Sequence, residues 1–210
     1  MKMLTRCLCV VVLAGCASET PKGSFVQNDA GVIVTPAEGA QRRVRLEVRT
    51  DRTIRVTAVA DANLDLPESL MVVPSAVSRP AFKVEEREGD VRLSTGRLIA
   101  HVSLANGAVK FTDPSGNALL TEDPATSRPP AGVSQRFNPG TDEAFYGSGQ
   151  HQNAQLNLNG EDVQLAQHNM DIGVPFIVSA RNYGVFWDNN GITRIGDPRP
   201  YGLASRDLTI

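Results

Sequence analysis

The chain has 210 residues, 21 Lys and Arg against 23 Asp and Glu for a formal net charge of −2, and 41% hydrophobic residues. That length suffices for one domain with a real core, and the interspersed charges form no basic stripe with interleaved aromatics, which argues against nucleic acid as a partner. All three cysteines (Cys7, Cys9, Cys16) lie at the N-terminus, so the remainder carries neither a disulfide framework nor a thiolate metal site.

Lys2 and Arg6 form a short positive region, Cys7 to Leu13 is apolar, and small residues follow at Ala14 and Gly15. A hydrocarbon core needs about 20 apolar residues, so this run reads as a secretory signal rather than a membrane span. Leu13-Ala14-Gly15-Cys16 resembles a bacterial lipobox, in which Cys16 becomes the diacylated first residue of the mature protein. Two acyl chains meet the requirement for stable anchoring; a plain signal peptide cleaved nearby is the alternative. Ala17 and Ser18 follow, and the absence of aspartate after the cysteine favours the outer membrane, facing the periplasm or the cell surface. The expected organisation is a signal over residues 1–15, a flexible polar tether over 16–30 and a folded domain over 31–210.

Within that domain the hydrophobic period is two, the pattern of half-buried strands. Arg42 to Arg49 places Val44, Leu46 and Val48 on one face and arginines with Glu47 on the other. Thr53 to Val59 repeats the alternation after Thr50-Asp51-Arg52, which predicts a hairpin. Phe82 to Glu85 and Val91 to Ser94 flank Glu88-Gly89-Asp90, and Leu98 to Leu104 and Val109 to Phe111 flank Asn106-Gly107. The Asn-Gly pair suits the positive φ angles of a type I′ turn. Asp113-Pro114-Ser115-Gly116-Asn117 is a further turn before Ala118 to Thr121. Many short strands with frequent turns predict an all-β antiparallel sandwich. Glu122 to Pro130 reads as loop, because Pro124, Pro129 and Pro130 oppose regular structure.

After residue 140 the composition shifts to Gly, Asn, Gln and aromatics, and this stretch holds the only tryptophan, Trp187. Amides pair with sugar hydroxyls and aromatic faces stack on pyranose rings, although asparagine and glycine also build turns. Val185 and Trp187 alternate with Phe186, which predicts burial on both sides of a strand. Asp188-Asn189-Asn190-Gly191 reads as turn chemistry, with Asn190-Gly191 favouring a hairpin. His101, alone in an apolar strand, reads as a satisfied core residue.

Phe145-Tyr146-Gly147-Ser148-Gly149-Gln150-His151-Gln152-Asn153, Val174 to Ser179, Tyr183 to Asn189 and Ile195 to Arg199 occur in order within about 55 residues. Together they resemble the N-terminal part of glycoside hydrolase family 31, and the QHQN and GDPR stretches are most similar to its α-xylosidase branch. The resemblance implies a galactose mutarotase-like β-sandwich (a supersandwich), incomplete at its C-terminal edge, that packs on a (β/α)8 barrel. It implies hydrolysis of α-glycosidic bonds with retention, as in an α-xylosidase or α-glucosidase, with an α-linked oligosaccharide as substrate and no cofactor or metal. That chemistry uses two carboxyl groups about 5–5.5 Å apart. In the family both lie in the barrel, so no catalytic residue transfers to this chain, which alone is expected to be inactive. The barrel of the same polypeptide and, through the lipid anchor, the membrane are the other expected partners.

One loop of the family's N-terminal domain lines the sugar pocket, and the resemblance puts it at Gln167-His168-Asn169-Met170-Asp171. Asn169 and Asp171 are compact hydrogen-bonding groups and Met170 offers apolar contact; an Asx-type turn before a buried strand is the alternative. Gln150 and His151 follow a Gly-x-Gly that lets the backbone turn sharply, with a pocket role or internal hydrogen bonding both open. The competing function is a stand-alone sugar-binding surface lipoprotein. An aldose epimerase would need a histidine and glutamate pattern that is not recognisable here.

Overall fold

The computed structural model describes residues 22–39, 43–59, 64, 67–73, 79–123, 134–152, 155–167 and 169–197. Cys16, His168, and the stretch Pro124 to Pro130 lie outside them. Among the described residues there is no helix, and every strand pairing is antiparallel.

The first sheet is a meander of β1 (Ser24–Asn28), β2 (Gly31–Thr35), β3 (Arg43–Thr50) and β4 (Thr53–Val59). Alternation explains β3 directly: Val44, Leu46 and Val48 are fully buried while Arg43, Arg45 and Glu47 lie on the other face. In register, Val44 sits opposite Val34 and Leu46 opposite Val32, so the apolar pairs share one face. The expected hairpin of β3 and β4 is present. The tether expected over residues 16–30 ends earlier, because Ser24–Asn28 form β1. This strand is held mainly by backbone pairing with β2 and buries only Phe25 against the core, so its polar composition hides it from a hydrophobic pattern.

The second sheet is another meander, β5 (Lys83–Arg87), β6 (Asp90–Ser94), β7 (Ile99–Ser103), β8 (Val109–Thr112) and β9 (Ala118–Thr121). Its Val91, Leu93, Ala100, Val102 and Val109 close face to face on the valines and Leu46 of the first sheet, forming one dry core of a β-sandwich. The loop after β2 fastens to the β7–β8 loop through the Ala37 and Glu38 amides, which donate to the Leu104 and Ala105 carbonyls at 2.9 and 2.8 Å.

The type I′ turn falls at another position than Asn106-Gly107. Glu88 and Gly89, with φ of 56° and 85°, make the two-residue turn of the β5–β6 hairpin. Asn106-Gly107 instead closes a four-residue loop in which only Gly107 has positive φ (77°). The longer loop lets Leu104 turn inward, where it is buried in the core. His101 is buried as expected: its Nδ1 accepts from Arg92 Nε at 3.3 Å, so Nε2 carries the proton and donates to Thr112 Oγ1 at 3.0 Å. Burial first, then the charges of Arg92 and Lys110, hold its pKa below the usual value.

Two small sheets follow: β10 (Phe145–Gln150), β12 (Ile172–Ser179) and β13 (Gly184–Phe186) in one, β11 (Asp162–Leu165) and β14 (Thr193–Gly196) in the other. Asn190-Gly191 makes no hairpin, since the strands on either side of it belong to different sheets. Asp188 is more than turn chemistry: its carboxylate accepts from Arg55 Nη2 of β4 at 2.8 Å and from Ser69 Oγ at 2.6 Å, tying β13 to the sandwich. Trp187 is half-buried and Phe186 exposed, so this strand is covered less than expected.

Two predictions follow from the sandwich. Leu93→Ala removes a fully buried side chain and should cost about 2–5 kcal/mol in urea unfolding. Glu122 accepts the Val109 amide at 2.8 Å, and burial pushes its pKa from 4.5 to about 7. Between those values the folded state holds the extra proton, so this group's stabilisation is complete below pH 4.5 and is lost as pH rises through about 7. Glu122→Gln should therefore gain stability over the parent on going from acid to pH 8, by roughly 1–2 kcal/mol allowing for partial exposure. The comparison cancels the opposite trend of His101, whose stabilisation is lost as pH falls.

Candidate functional site

The site is built on β10 and β12. Gln150 pairs with Ile172 at the last register position, so the turn after β10 and the segment before β12 leave the sheet at the same end. The structure thus brings Gln150 and His151 beside Asn169, Met170 and Asp171.

Close approach of the two strands depends on Gly-x-Gly. Gly147, Ser148 and Gly149 have successive positive φ angles of 111°, 61° and 100°, at an irregularity in the register. A Cβ on Gly149 would lie 1.8 Å from the Ile172 carbonyl oxygen, and one on Gly147 2.7 Å from that of Phe176. Ser148 is fully buried between them. The sharp turn expected here is therefore a bulge inside a strand.

His151 donates from Nε2 to the Ser148 carbonyl at 2.9 Å, the internal hydrogen bonding that was one of its two readings. Gln150 is exposed. Asn169, with φ of 52°, takes the left-handed conformation that asparagine tolerates and heads the turn into β12. Met170 is 66% exposed, whereas Asp171 is half-buried with Oδ1 out of solvent. The result is an open rim of amide, thioether, carboxylate and imidazole groups. The cleft lined by Asn28, Asp29, Arg79 and Phe82, about 330 Å³, lies elsewhere and includes none of these residues. Among the described residues no three His, Cys, Asp or Glu side chains group as metal ligands.

Sequence reasoning missed what holds the opposite end of β10 and β12 together. Glu143 is buried, and its Oε1 accepts from Ser179 Oγ and, at 2.5 Å, from Tyr183 OH; its Oε2 accepts the Gly140 amide at 2.9 Å and lies 3.8 Å from Arg181 Nε. Burial works to raise its pKa, but these hydrogen bonds and Arg181 outweigh it and hold the carboxyl below its ordinary value. Tyr183 is pushed up, by burial first and then by Glu143, and stays a phenol donor. Several of the amides in this stretch are used internally, in line with the turn-building reading that composition left open beside sugar binding. Asn157 Oδ1 accepts the Phe145 amide at 3.1 Å, Asn159 Nδ2 donates to the Glu143 carbonyl at 2.7 Å, and Asn189 Oδ1 accepts the Gly191 amide at 3.0 Å. A tyrosine and a serine flanking one hairpin, downstream of an isolated glutamate, were the available signal for the Glu143 network.

The described residues thus form an all-β sandwich carrying a further small sheet with a polar rim. The family model described as "Glycosyl hydrolase 31 N-terminal galactose mutarotase-like domain" matches residues 43–195, and the chain belongs to that family. It is 28% identical over 171 residues to an α-xylosidase of Saccharolobus solfataricus, covering 72% of this chain and 23% of the relative. The crystal structure of a family 31 α-xylosidase from Xanthomonas citri superposes with a TM-score of 0.72 at 40% identity, over 86% of this chain and 20% of that one. A family 31 α-xylosidase from a soil metagenome, complexed with xylose, gives a TM-score of 0.66 at 24% identity, over 82% of this chain and 29% of that one. The chain thus spans less than a third of each of these relatives. The family and the galactose mutarotase-like sandwich stand as the sequence motifs implied.

Gly149→Ala should break the sheet of β10, β12 and β13 selectively. We expect Phe145–Gln150 and Ile172–Ser179 to lose amide-exchange protection and the emission of Trp187 to shift to the red, while Val44 to Val48 stay protected. Uniform loss, or none, would contradict the close approach described here.

Proposed function

We propose that this chain is the N-terminal, pocket-completing domain of a longer, exported and lipid-anchored retaining α-glycosidase acting on α-xylosides. The observation that carries the reading is the convergence of Gln150 and His151 with Asn169, Met170 and Asp171 at one exposed sheet end, in a chain of the glycosyl hydrolase 31 N-terminal domain family. The exposed Asn169 amide and the half-buried Asp171 carboxylate suit hydrogen bonds to sugar hydroxyls, and Met170 suits the apolar face of the ring. His168 belongs to the same segment by its place in the sequence. Retaining hydrolysis needs two carboxyl groups about 5–5.5 Å apart, one ionised and one protonated. Asp171 is the only carboxylate of this rim, so the acid and the nucleophile come from outside it. The α-xylosidase names of the relatives support the substrate class, and Leu13-Ala14-Gly15-Cys16 supports export and anchoring through Cys16.

The test joins size to kinetics. An immunoblot of source-cell membranes should show a polypeptide several-fold heavier than this chain, since a barrel alone adds about 250 residues. In that long form, Asn169→Ala and Met170→Ala should each lower kcat/KM for an aryl α-xyloside by about tenfold, the worth of one lost contact in the transition state. Turnover by the 210-residue chain alone, or long-form variants with unchanged kcat/KM, would count against the pocket role. A band at the chain's own mass would favour the stand-alone sugar-binding lipoprotein.

A further inference from the structure

The sandwich is open along one side. Among the described residues β1 and β5 are outer strands, each paired on one edge only. They lie next to each other across the opening, since Lys22 Nζ, just before β1, is 3.4 Å from Glu86 Oε1 of β5. At the other end of β1 the cleft of about 330 Å³ opens between the turn into β2 and the segment that enters β5. The turn lines it with Gln27, Asn28 and Asp29, and the segment with Arg79, Pro80 and Phe82. Phe82 is half-buried and packs against the core, which fixes its ring, and Pro80 is likewise half-buried. Asn28 Oδ1 accepts the Ala30 and Gly31 amides, both at 2.9 Å, which holds the turn and leaves its Nδ2 as a donor. Arg79 and Asp29 are exposed, and among the described residues neither side chain makes a hydrogen bond or an ion pair.

We infer that this cleft is a second carbohydrate site, separate from the rim, that holds one ring of a neutral oligosaccharide. Its two formal charges select against charged ligands: an anion drawn to Arg79 meets Asp29, and a cation drawn to Asp29 meets Arg79. A neutral polyol gains from both. The guanidinium and the Asn28 amide donate, the carboxylate accepts, and each sugar hydroxyl does either. Hydrogen bonds to the ionised groups are the stronger ones. Phe82 and Pro80 supply apolar surface for the C–H face of the ring. A few polar groups around apolar surface, at the low end of the volume range of small-molecule sites, is the usual composition of a binding site. Because the cleft is open, the rest of the oligosaccharide runs out into solvent on either side. Asp29 is its one carboxylate, so it holds a glycan without the carboxyl pair that cleavage requires. The inference goes beyond the pocket reading above and needs neither a longer polypeptide nor a hydrolytic activity.

The experiment is residue-resolved amide NMR of the 210-residue chain, titrated with an oligosaccharide bearing α-linked xylose on a neutral glucan backbone and, separately, with inorganic phosphate. The oligosaccharide should give saturable shifts at Asn28 to Gly31, Ala81 and Phe82, with a Kd on the order of 1 mM. Arg79→Ala and, as an independent variant, Asp29→Ala should each weaken that binding about tenfold, as expected for a lost hydrogen bond to a charged group. Their urea midpoints should match the parent, because both residues are exposed. Shifts confined to residues 169–171 overturn the inference and leave the pocket reading intact. Cleft shifts without rim shifts uphold the inference and count against the pocket reading. Cleft shifts of unchanged affinity in both variants overturn it. Phosphate that shifts the cleft where the oligosaccharide does not assigns an anion site and also overturns it.

Discussion

A buried carboxylate sets the geometry of the C-terminal half. Taking Glu143 out of water costs several kcal/mol unless its oxygens are satisfied, and the chain satisfies them from two directions. The Gly140 amide comes from just before β10, while Ser179 comes from the end of β12 and Arg181 and Tyr183 from the connection to β13. Because each donor must meet the same two oxygens, the entry to β10 and the β12–β13 hairpin have one mutual arrangement. Asn159, donating to the Glu143 carbonyl, draws the segment before β11 into the same knot. The opposite end of β10 and β12, where Gln150 meets Ile172, inherits its register from there.

The sandwich and the small sheets are stabilised by different physics, and this bears on function. The two meanders share a core of valine and leucine from which water is excluded, held by area and shape rather than by specific polar partners. The β10–β12–β13 sheet has an open apolar face and is held by the Glu143 knot, the glycine-permitted approach of β10 to β12, and the Arg55–Asp188–Ser69 tie to β4. The rim itself offers hydrogen bonds and a thioether, which can orient a sugar but cannot cleave it.

Strand positions were legible because the core-facing residues of β3, β6 and β7 alternate with charged or polar ones, a period that allows few other structures. β1 was not, since an edge strand held by backbone pairing needs no apolar alternation. The partners of β10 to β14 were hidden for a related reason: Asn190-Gly191 looks locally like a hairpin, but the chain there crosses between sheets, and Asp188 holds the crossing through residues more than a hundred positions away. The site was legible through motifs more than through physics. Gly147-Ser148-Gly149 and Val174 to Ser179 pointed to the right strands, whereas the local roles of Asn157, Asn159 and Asn189 required knowing which backbone groups lay opposite. Glu143, in Thr141-Asp142-Glu143-Ala144, resembles any surface acid until Ser179 and Tyr183 are brought to it.

Whether the segment preceding β12 is part of a sugar pocket is tested most directly by a crystal structure of the long form with xylose bound. The expected result is a sugar whose hydroxyls contact Asn169 or Asp171, with the Met170 side chain against the ring. A sugar bound with no atom of residues 169–171 in contact, and with that segment facing solvent, would contradict it.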